Sequence, residues 1–174
     1  MEGLLREGGC TTLEDLILLH VGCGGIRFPG FINSDIHTAT PRNHPYKVDQ
    51  VMDLSKTWPY ADETVDGIVG MHVFQQLTWR ELVVAFREAF RVLKKNGVLR
   101  IGCPMVEITD RSLDYLLGWN NINLFSQDLL ERVLVDRIGF TKFRERGYGK
   151  CRLPQLAKLD NRPNRGTLYF EAIK

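Results

Sequence analysis

Three places in this 174-residue chain carry residue types that can grip a polar ligand, and each closes a short apolar run. Gly22-Cys23-Gly24-Gly25 follows the run that ends at Val21, Asp35 closes Phe31–Ile36, and Asp53-Leu54 closes Val48–Leu54. Glycines at a strand end let the backbone turn sharply and approach a ligand with no Cβ between them. A carboxylate at the end of the next strand can accept from the 2′ and 3′ hydroxyls of a ribose, at about 1.5–3 kcal/mol for each charged hydrogen bond. A carboxylate one strand further can accept from an adenine amine while the following backbone N–H donates to a ring nitrogen. Each feature alone is as well explained by an ordinary turn. All three in register along the chain are much rarer.

The elements that must position these residues read as alternating strands and helices. Candidate strands are Leu16–Val21, Phe31–Ile36, Val48–Leu54, Val65–His72 and Val98–Cys103, with two later ones at Phe140–Arg146 and Thr167–Ile173. The first is apolar throughout except for His20, as expected of a strand buried on both faces. Thr78 and Glu81 make a capping box, and Trp79, Leu82, Val83, Phe86, Phe90 and Leu93 fall on one helical face. Lys94 and Lys95 suit the negative end of that helix, and Asn96-Gly97 stops it. A second helix is predicted from Ser126 to Ile138, closed by Gly139. The expected architecture is α/β: one Rossmann-like domain over residues 1–174, with a mainly parallel twisted sheet and helices on both faces. Residues 16–104 would form a cofactor-binding half and 105–174 a closing half. Ligands of such sheets sit beyond the carboxyl ends of the strands, where the glycines and acids lie.

The run Leu19-His20-Val21-Gly22-Cys23-Gly24-Gly25, continued by Phe28-Pro29-Gly30-Phe31-Ile32-Asn33-Ser34-Asp35-Ile36, resembles the opening of class I S-adenosylmethionine-dependent methyltransferases. More narrowly it is similar to the bacterial and phage branch often found with glycan or cell-envelope genes. The likeness continues through Asp53-Leu54, Trp58–Ile68 and Arg91–Ile101, where the family reads R-V-L-K-P-G-G-x-L-R-I, and returns faintly at Leu159–Arg162 and Thr167–Ala172. The resemblance implies S-adenosylmethionine as cofactor and S-adenosylhomocysteine as product. It implies that Gly22, Cys23, Gly24 and Gly25 pass under the methionine part, that Asp35 and Ile36 hold the ribose side, and that Asp53 with Leu54 reads the adenine. Met71 and His72 would lie near the methyl group, with His72 as the candidate catalytic base.

Two departures from that pattern matter. Only five residues separate Gly25 from Phe31, whereas a parallel crossover usually takes a dozen or more. The first crossover helix is therefore expected to be reduced or absent. The branch reads H-x-L-E-H after its fourth strand, and this chain has His72-Val73-Phe74-Gln75-Gln76. Amides can orient a substrate but cannot take a proton. A non-catalytic, cofactor-binding module acting through partners is thus the alternative to an enzyme. A nicotinamide dehydrogenase is weaker, because its acid should follow the glycines by about 20 residues and Asp35 follows Gly22 by 13.

Composition narrows the rest. With 44% hydrophobic and 25% charged residues the chain is globular in type. Its longest apolar stretch is far too short for a bilayer span. The acidic start lacks a signal-type apolar run, and Cys10, Cys23, Cys103 and Cys151 show no metal-ligand or disulfide spacing, so no metal and a cytoplasmic setting are expected. Net charge is +2, but Lys142, Arg144, Arg146, Lys150, Arg152, Lys158, Arg162 and Arg165 concentrate positive charge near the C-terminus. A small-molecule, sugar or nucleotide acceptor is expected. Nucleic acid is less favoured, since few aromatics interleave with the basic residues.

Overall fold

The structure, a computed structural model, describes residues 16–39, 44–104, 123, 125–160 and 166–174. Cys10, Arg162 and Arg165 lie outside them. Seven strands form one sheet in the order β3-β2-β1-β4-β5-β7-β6. They are β1 (Leu18–Val21), β2 (Ile32–Asp35), β3 (Gln50–Val51), β4 (Val65–Met71), β5 (Leu93–Pro104), β6 (Lys142–Arg146) and β7 (Thr167–Ile173). β1 to β5 are mutually parallel, and β7 runs antiparallel to both β5 and β6. β1 is buried at every residue, as a strand flanked by two parallel neighbours must be. Val21 stands opposite both Ser34 and Gly70, so β1, β2 and β4 end level with one another.

One face of the sheet is covered by α1 (Trp79–Val92) and by α2 (Gln127–Glu131), which runs on as a π-helical turn over Arg132–Ile138. Thr78 and Glu81 form the expected capping box, and Ser126 caps α2 while Gly139 closes the π turn at φ 111°. Leu82, Ala85, Phe86, Ala89 and Val92 make the buried stripe of α1, with Leu130, Leu134 and Phe140 beside them. On the other face, among the described residues, Leu156 of a one-turn 3-10 helix packs on Val69 and Val98, joined by Phe28, Phe31, Leu153 and Leu159. No helix among the described residues is long and apolar enough to cross a membrane.

Three local expectations shift. α1 stops at Val92, not at Lys95, because Glu63 and Thr64 donate their N–H groups to the Arg91 and Val92 carbonyls and Leu93 turns extended to pair with Val65. Lys94 instead pairs with Asp66 at 2.8 Å. Trp79 is 44% exposed; the alanines of α1 take the place on the buried stripe expected of it. β3 is far shorter than Val48–Leu54, because Asp53 Oδ1 accepts from both the N–H and the hydroxyl of Ser55 and bends the chain out of the sheet.

No helix joins β1 to β2. The link is held instead by Asn33, whose Oδ1 accepts from Phe28 N–H and whose Nδ2 donates to the Phe28 and Phe31 carbonyls. Phe28 stacks on His20, centroids 4.1 Å apart, and His20 Nδ1 lies 3.2 Å from Asn33 Oδ1. Burial pulls the His20 pKa from 6.5 down to about 4, against smaller opposing effects of Asn33 and Asp35. The unfolded chain therefore takes up this proton before the folded one. The stabilisation is complete above pH 6.5 and is lost as pH falls toward 4. Chemical denaturation at pH 7.5 and 4.5 should show roughly 2–3 kcal/mol less loss of stability in His20→Phe than in the native chain, from 1.36 kcal/mol per pKa unit. Equal losses in the two proteins would remove His20 as the cause.

Candidate functional site

The connections reverse direction at β1, with β2 and β3 on one side and β4 and β5 on the other. A crevice opens beyond the carboxyl ends of strands at such a switch point. Here it is a cavity of about 600 Å³, within the range of small-molecule sites. Gly22, Cys23, Gly24, Gly25, Asp35, Ile36, Asp53, Leu54, Met71 and His72 all line it. Every residue singled out in the sequence is thus brought to one wall or another of a single space.

The glycine turn is shaped by two left-handed residues, Gly22 at φ 62° and Gly24 at φ 54°. A Cβ on Gly22 would lie 2.2 Å from Val73 Cγ2, whereas one on Gly24 would meet nothing within 4 Å. Gly22 is required by close packing as well as by conformation, Gly24 by conformation alone. Cys23 between them is buried, and burial, then the Asp35 charge, pushes its thiol up to about 11. Burial also raises Cys103 to about 12 and Cys151 to about 11. All three are free thiols held protonated near neutral pH.

Asp35 ties the turn to β2. Its Oδ2 accepts from Gly24 N–H at 2.8 Å and its Oδ1 from His37 N–H at 2.9 Å. The Tyr46 hydroxyl bonds the same carboxylate, and its remaining lone-pair capacity is what a ligand can use. Tyr46, on the same wall, has its phenol pushed up to about 12 by burial, then by the Asp35 charge, so it stays a donor. Asp53 stands just past β3, and the hydroxyl and N–H of Ser55 hold its carboxyl below the usual range. Met52 and Leu54 flank it as buried apolar neighbours.

The opposite wall begins where β4 ends. His72 has φ 57°, an uncommon conformation for a residue with a Cβ, fixed by its N–H donating to the Gly102 carbonyl at 2.8 Å. Such local strain concentrates at functional sites. Gln75 and Gln76 follow on the 3-10 turn Phe74–Gln76 and also line the cavity. Gln75 Oε1 is buried without a hydrogen-bond partner among the described residues. An unsatisfied buried acceptor at a cavity wall calls for a donor from a ligand.

The electrostatics are one-sided. The lining contains Asp35 and Asp53 and, among the described residues, no lysine or arginine. Lys142, Arg144, Lys150, Arg152 and Lys158 are exposed on β6 and the loop after it, away from the cavity lining. Among the described residues no group of His, Cys, Asp or Glu is arranged to hold a metal ion. Tyr46, His37 and Leu77 join the lining without any motif to announce them.

Residues 19–101 match the family model of the methyltransferase domain. The fold is similar to that of an S-adenosylmethionine-dependent methyltransferase from Archaeoglobus fulgidus, at 17% identity over 93% of this chain and 88% of that one, with a TM-score of 0.65. It is similar to another from Thermotoga maritima, at 16% identity over 91% and 82%, with a TM-score of 0.60. Phosphoethanolamine N-methyltransferase 2 of Haemonchus contortus, solved with S-adenosyl-L-methionine, aligns at 13% identity over 96% of this chain and 50% of that one, with a TM-score of 0.60. At these identities the likeness is one of fold. No curated protein matches the sequence.

The two glycines should separate in a stability measurement. Gly24→Ala is expected to cost about 1–2 kcal/mol from left-handed strain alone, and Gly22→Ala about 2–4 kcal/mol once overlap with Val73 is added. Urea unfolding of both variants checks the order; equal midpoints would mean Val73 moves aside freely.

Proposed function

We propose, from the match of residues 19–101 to the methyltransferase-domain model, that this chain binds S-adenosylmethionine in the cavity at the ends of β1 to β4 and transfers its methyl group to a small-molecule, sugar or nucleotide acceptor. The observation that carries this reading is the charge and donor pattern of the cavity. Two carboxylates at successive strand ends suit the hydroxyls of a ribose and the amine of an adenine. A lining without lysine or arginine among the described residues suits a cationic sulfonium ligand better than a pyrophosphate. With no helix between β1 and β2 there is also no helix N-terminus for phosphate, which weighs against a nicotinamide dinucleotide.

In this reading Gly22 and Gly24 carry the backbone under the methionine part. Asp35 holds the ribose, Asp53 and the Leu54 N–H read the adenine, and Met71 and His72 border the methyl group. The cofactor supplies an electrophilic methyl on sulfur for in-line displacement. The protein's share is alignment, which can lower a barrier by roughly 7–11 kcal/mol in well-oriented cases. A non-catalytic binding module remains the second reading, favoured by the amides of Gln75 and Gln76 where the related branch carries an acid and a histidine.

Titration calorimetry with S-adenosylmethionine and S-adenosylhomocysteine tests the proposal. Binding is expected for both, and Asp35→Ala should weaken it about 10- to 100-fold, the loss of charged hydrogen bonds to one sugar. Failure of the native chain to bind either compound, or an unchanged affinity in the variant, would overturn the assignment of the site. Formation of S-adenosylhomocysteine during incubation with candidate acceptors separates the enzyme from the binding module.

A further inference from the structure

β7 enters the sheet antiparallel, so its first residue, Thr167, stands opposite Pro104 at the carboxyl end of β5. That reversal carries the end of the chain back to the cavity edge. Thr167 Oγ1 lies 3.4 Å from His72 Nε2, and Asp160 Oδ2 lies 3.5 Å from the same nitrogen. The Asp160 side chain is 1% exposed and accepts from Tyr169 Oη–H at 2.7 Å. Tyr169 in turn lies under the buried Arg100 guanidinium, 5.0 Å from its ring centroid. His72 and Asp160 also share a smaller cavity of about 30 Å³ with Gly22, Cys23 and Met71, residues that line the larger one too.

A carboxylate buried this deeply persists as an ion only when hydrogen-bonded and paired. Burial, then the hydrogen bond to Asp160, pushes the Tyr169 phenol far above its usual range, so Tyr169 is a permanent donor. An ionised Asp160 is acceptor-only and favours a proton on the facing His72 Nε2, an arrangement in which the Thr167 hydroxyl 3.4 Å away accepts as well. An imidazole carrying its hydrogen on Nε2 keeps its lone pair on Nδ1. We propose that Asp160 is a positioning residue that fixes His72 as the Nε2–H tautomer and stabilises its imidazolium form, making His72 a proton acceptor for a hydroxyl-bearing acceptor. This rests on the methyltransferase reading for its chemistry but not for its geometry. As the hydroxyl oxygen bonds the methyl carbon, the C–S bond breaks with its pair going to sulfur, and the hydroxyl proton passes to His72 Nδ1. The resulting imidazolium charge is matched by Asp160, and the proton later leaves to solvent. An already deprotonated amine would need none of this.

Asp160, Thr167 and Tyr169 face His72 from the C-terminal segment; Cys23, Asp35, His37, Tyr46 and Asp53 line the larger cavity with it, and His20 and Cys23 line the smaller one. Cys23 at about 11, Tyr46 at about 12 and His20 at about 4 titrate outside the range of interest. NMR of the full chain labelled at histidine reads the His72 tautomer and titration midpoint directly, with no acceptor present. The native protein should show the Nε2–H form. Asp160→Asn should lower the midpoint by about one pH unit or more, Asp160→Glu should recover part of it, and Tyr169→Phe, which frees the carboxylate from a donor, should raise it. A native Nδ1–H tautomer, or a midpoint that does not move in Asp160→Asn, overturns the proposal. Should Asp160→Asn fail to fold, Tyr169→Phe decides alone, an unmoved or lowered midpoint counting against. S-adenosylhomocysteine calorimetry on the same samples keeps the two readings apart: absence of binding sinks the cofactor site and leaves the dyad to the NMR result.

Discussion

The site depends on one buried amide. In a parallel α/β sheet the chain normally returns from one strand to the next through a helix, whose own hydrogen bonds satisfy the backbone on the way. Between β1 and β2 there is no such helix, and the polar groups of the link would be stranded beneath Phe28 and Phe31 without another partner. Asn33 replaces the missing helix with its side chain, meeting the Phe28 N–H and the Phe28 and Phe31 carbonyls. Asp49 anchors Asn33 through its backbone N–H and its Nδ2, and Arg27 closes the outer side. Those contacts, the Asn33 N–H first, hold the Asp49 carboxyl well below its usual range. The turn is short because it is cross-braced, and so Gly24 reaches back far enough to donate to Asp35.

That bond between Gly24 and Asp35 links the fold to the chemistry. The carboxylate belongs to β2, the amide to the turn after β1, and their 2.8 Å contact joins two parts of the cavity lining. An acid held by a backbone donor at each oxygen keeps one orientation, and its remaining lone-pair capacity can meet a diol without wandering. The same economy appears at Asp53, where Ser55 takes one oxygen and bends the chain out of the sheet. Two hydrogen bonds from one serine thus turn the chain after β3 and hold the acid that follows it.

Much of this was legible in the sequence, and the parts that were not share a cause. The glycine turn, Asp35, Asp53 and the capping box of α1 are local signals: residue type and the neighbouring run identify them. The absent crossover helix could be deduced from the five residues between Gly25 and Phe31. The end of α1 was misjudged because Lys94, Lys95 and Gly97 look like a helix terminus, while the groups that satisfy its carbonyls come from Glu63 and Thr64, earlier in the chain. Tyr46 and Asp160 reach the site through loops, where no hydrophobic period marks them. Asp160 stood within a run that resembles the family, yet its partner His72 is distant in sequence and only the antiparallel entry of β7 brings them together.

That last point bears on how the change from acid and histidine to Gln75 and Gln76 should be read. Taken locally, it removes the ionisable groups after β4 and argues for a site that has lost its chemistry. Taken in three dimensions, a carboxylate is still present at ion-pair distance from His72, delivered from the other end of the chain. It is buried, bonded to the Tyr169 hydroxyl, and Arg100 lies over the Tyr169 ring. A buried carboxylate with built-in support is costly to maintain without a use, and at 3.5 Å it faces a histidine held in a left-handed conformation at the cavity wall. Two unfavourable features retained side by side are better explained by a shared task than by separate accidents. The amides that replace the acid and histidine leave hydrogen-bonding groups at this wall, and Gln75 Oε1 is buried without a partner among the described residues.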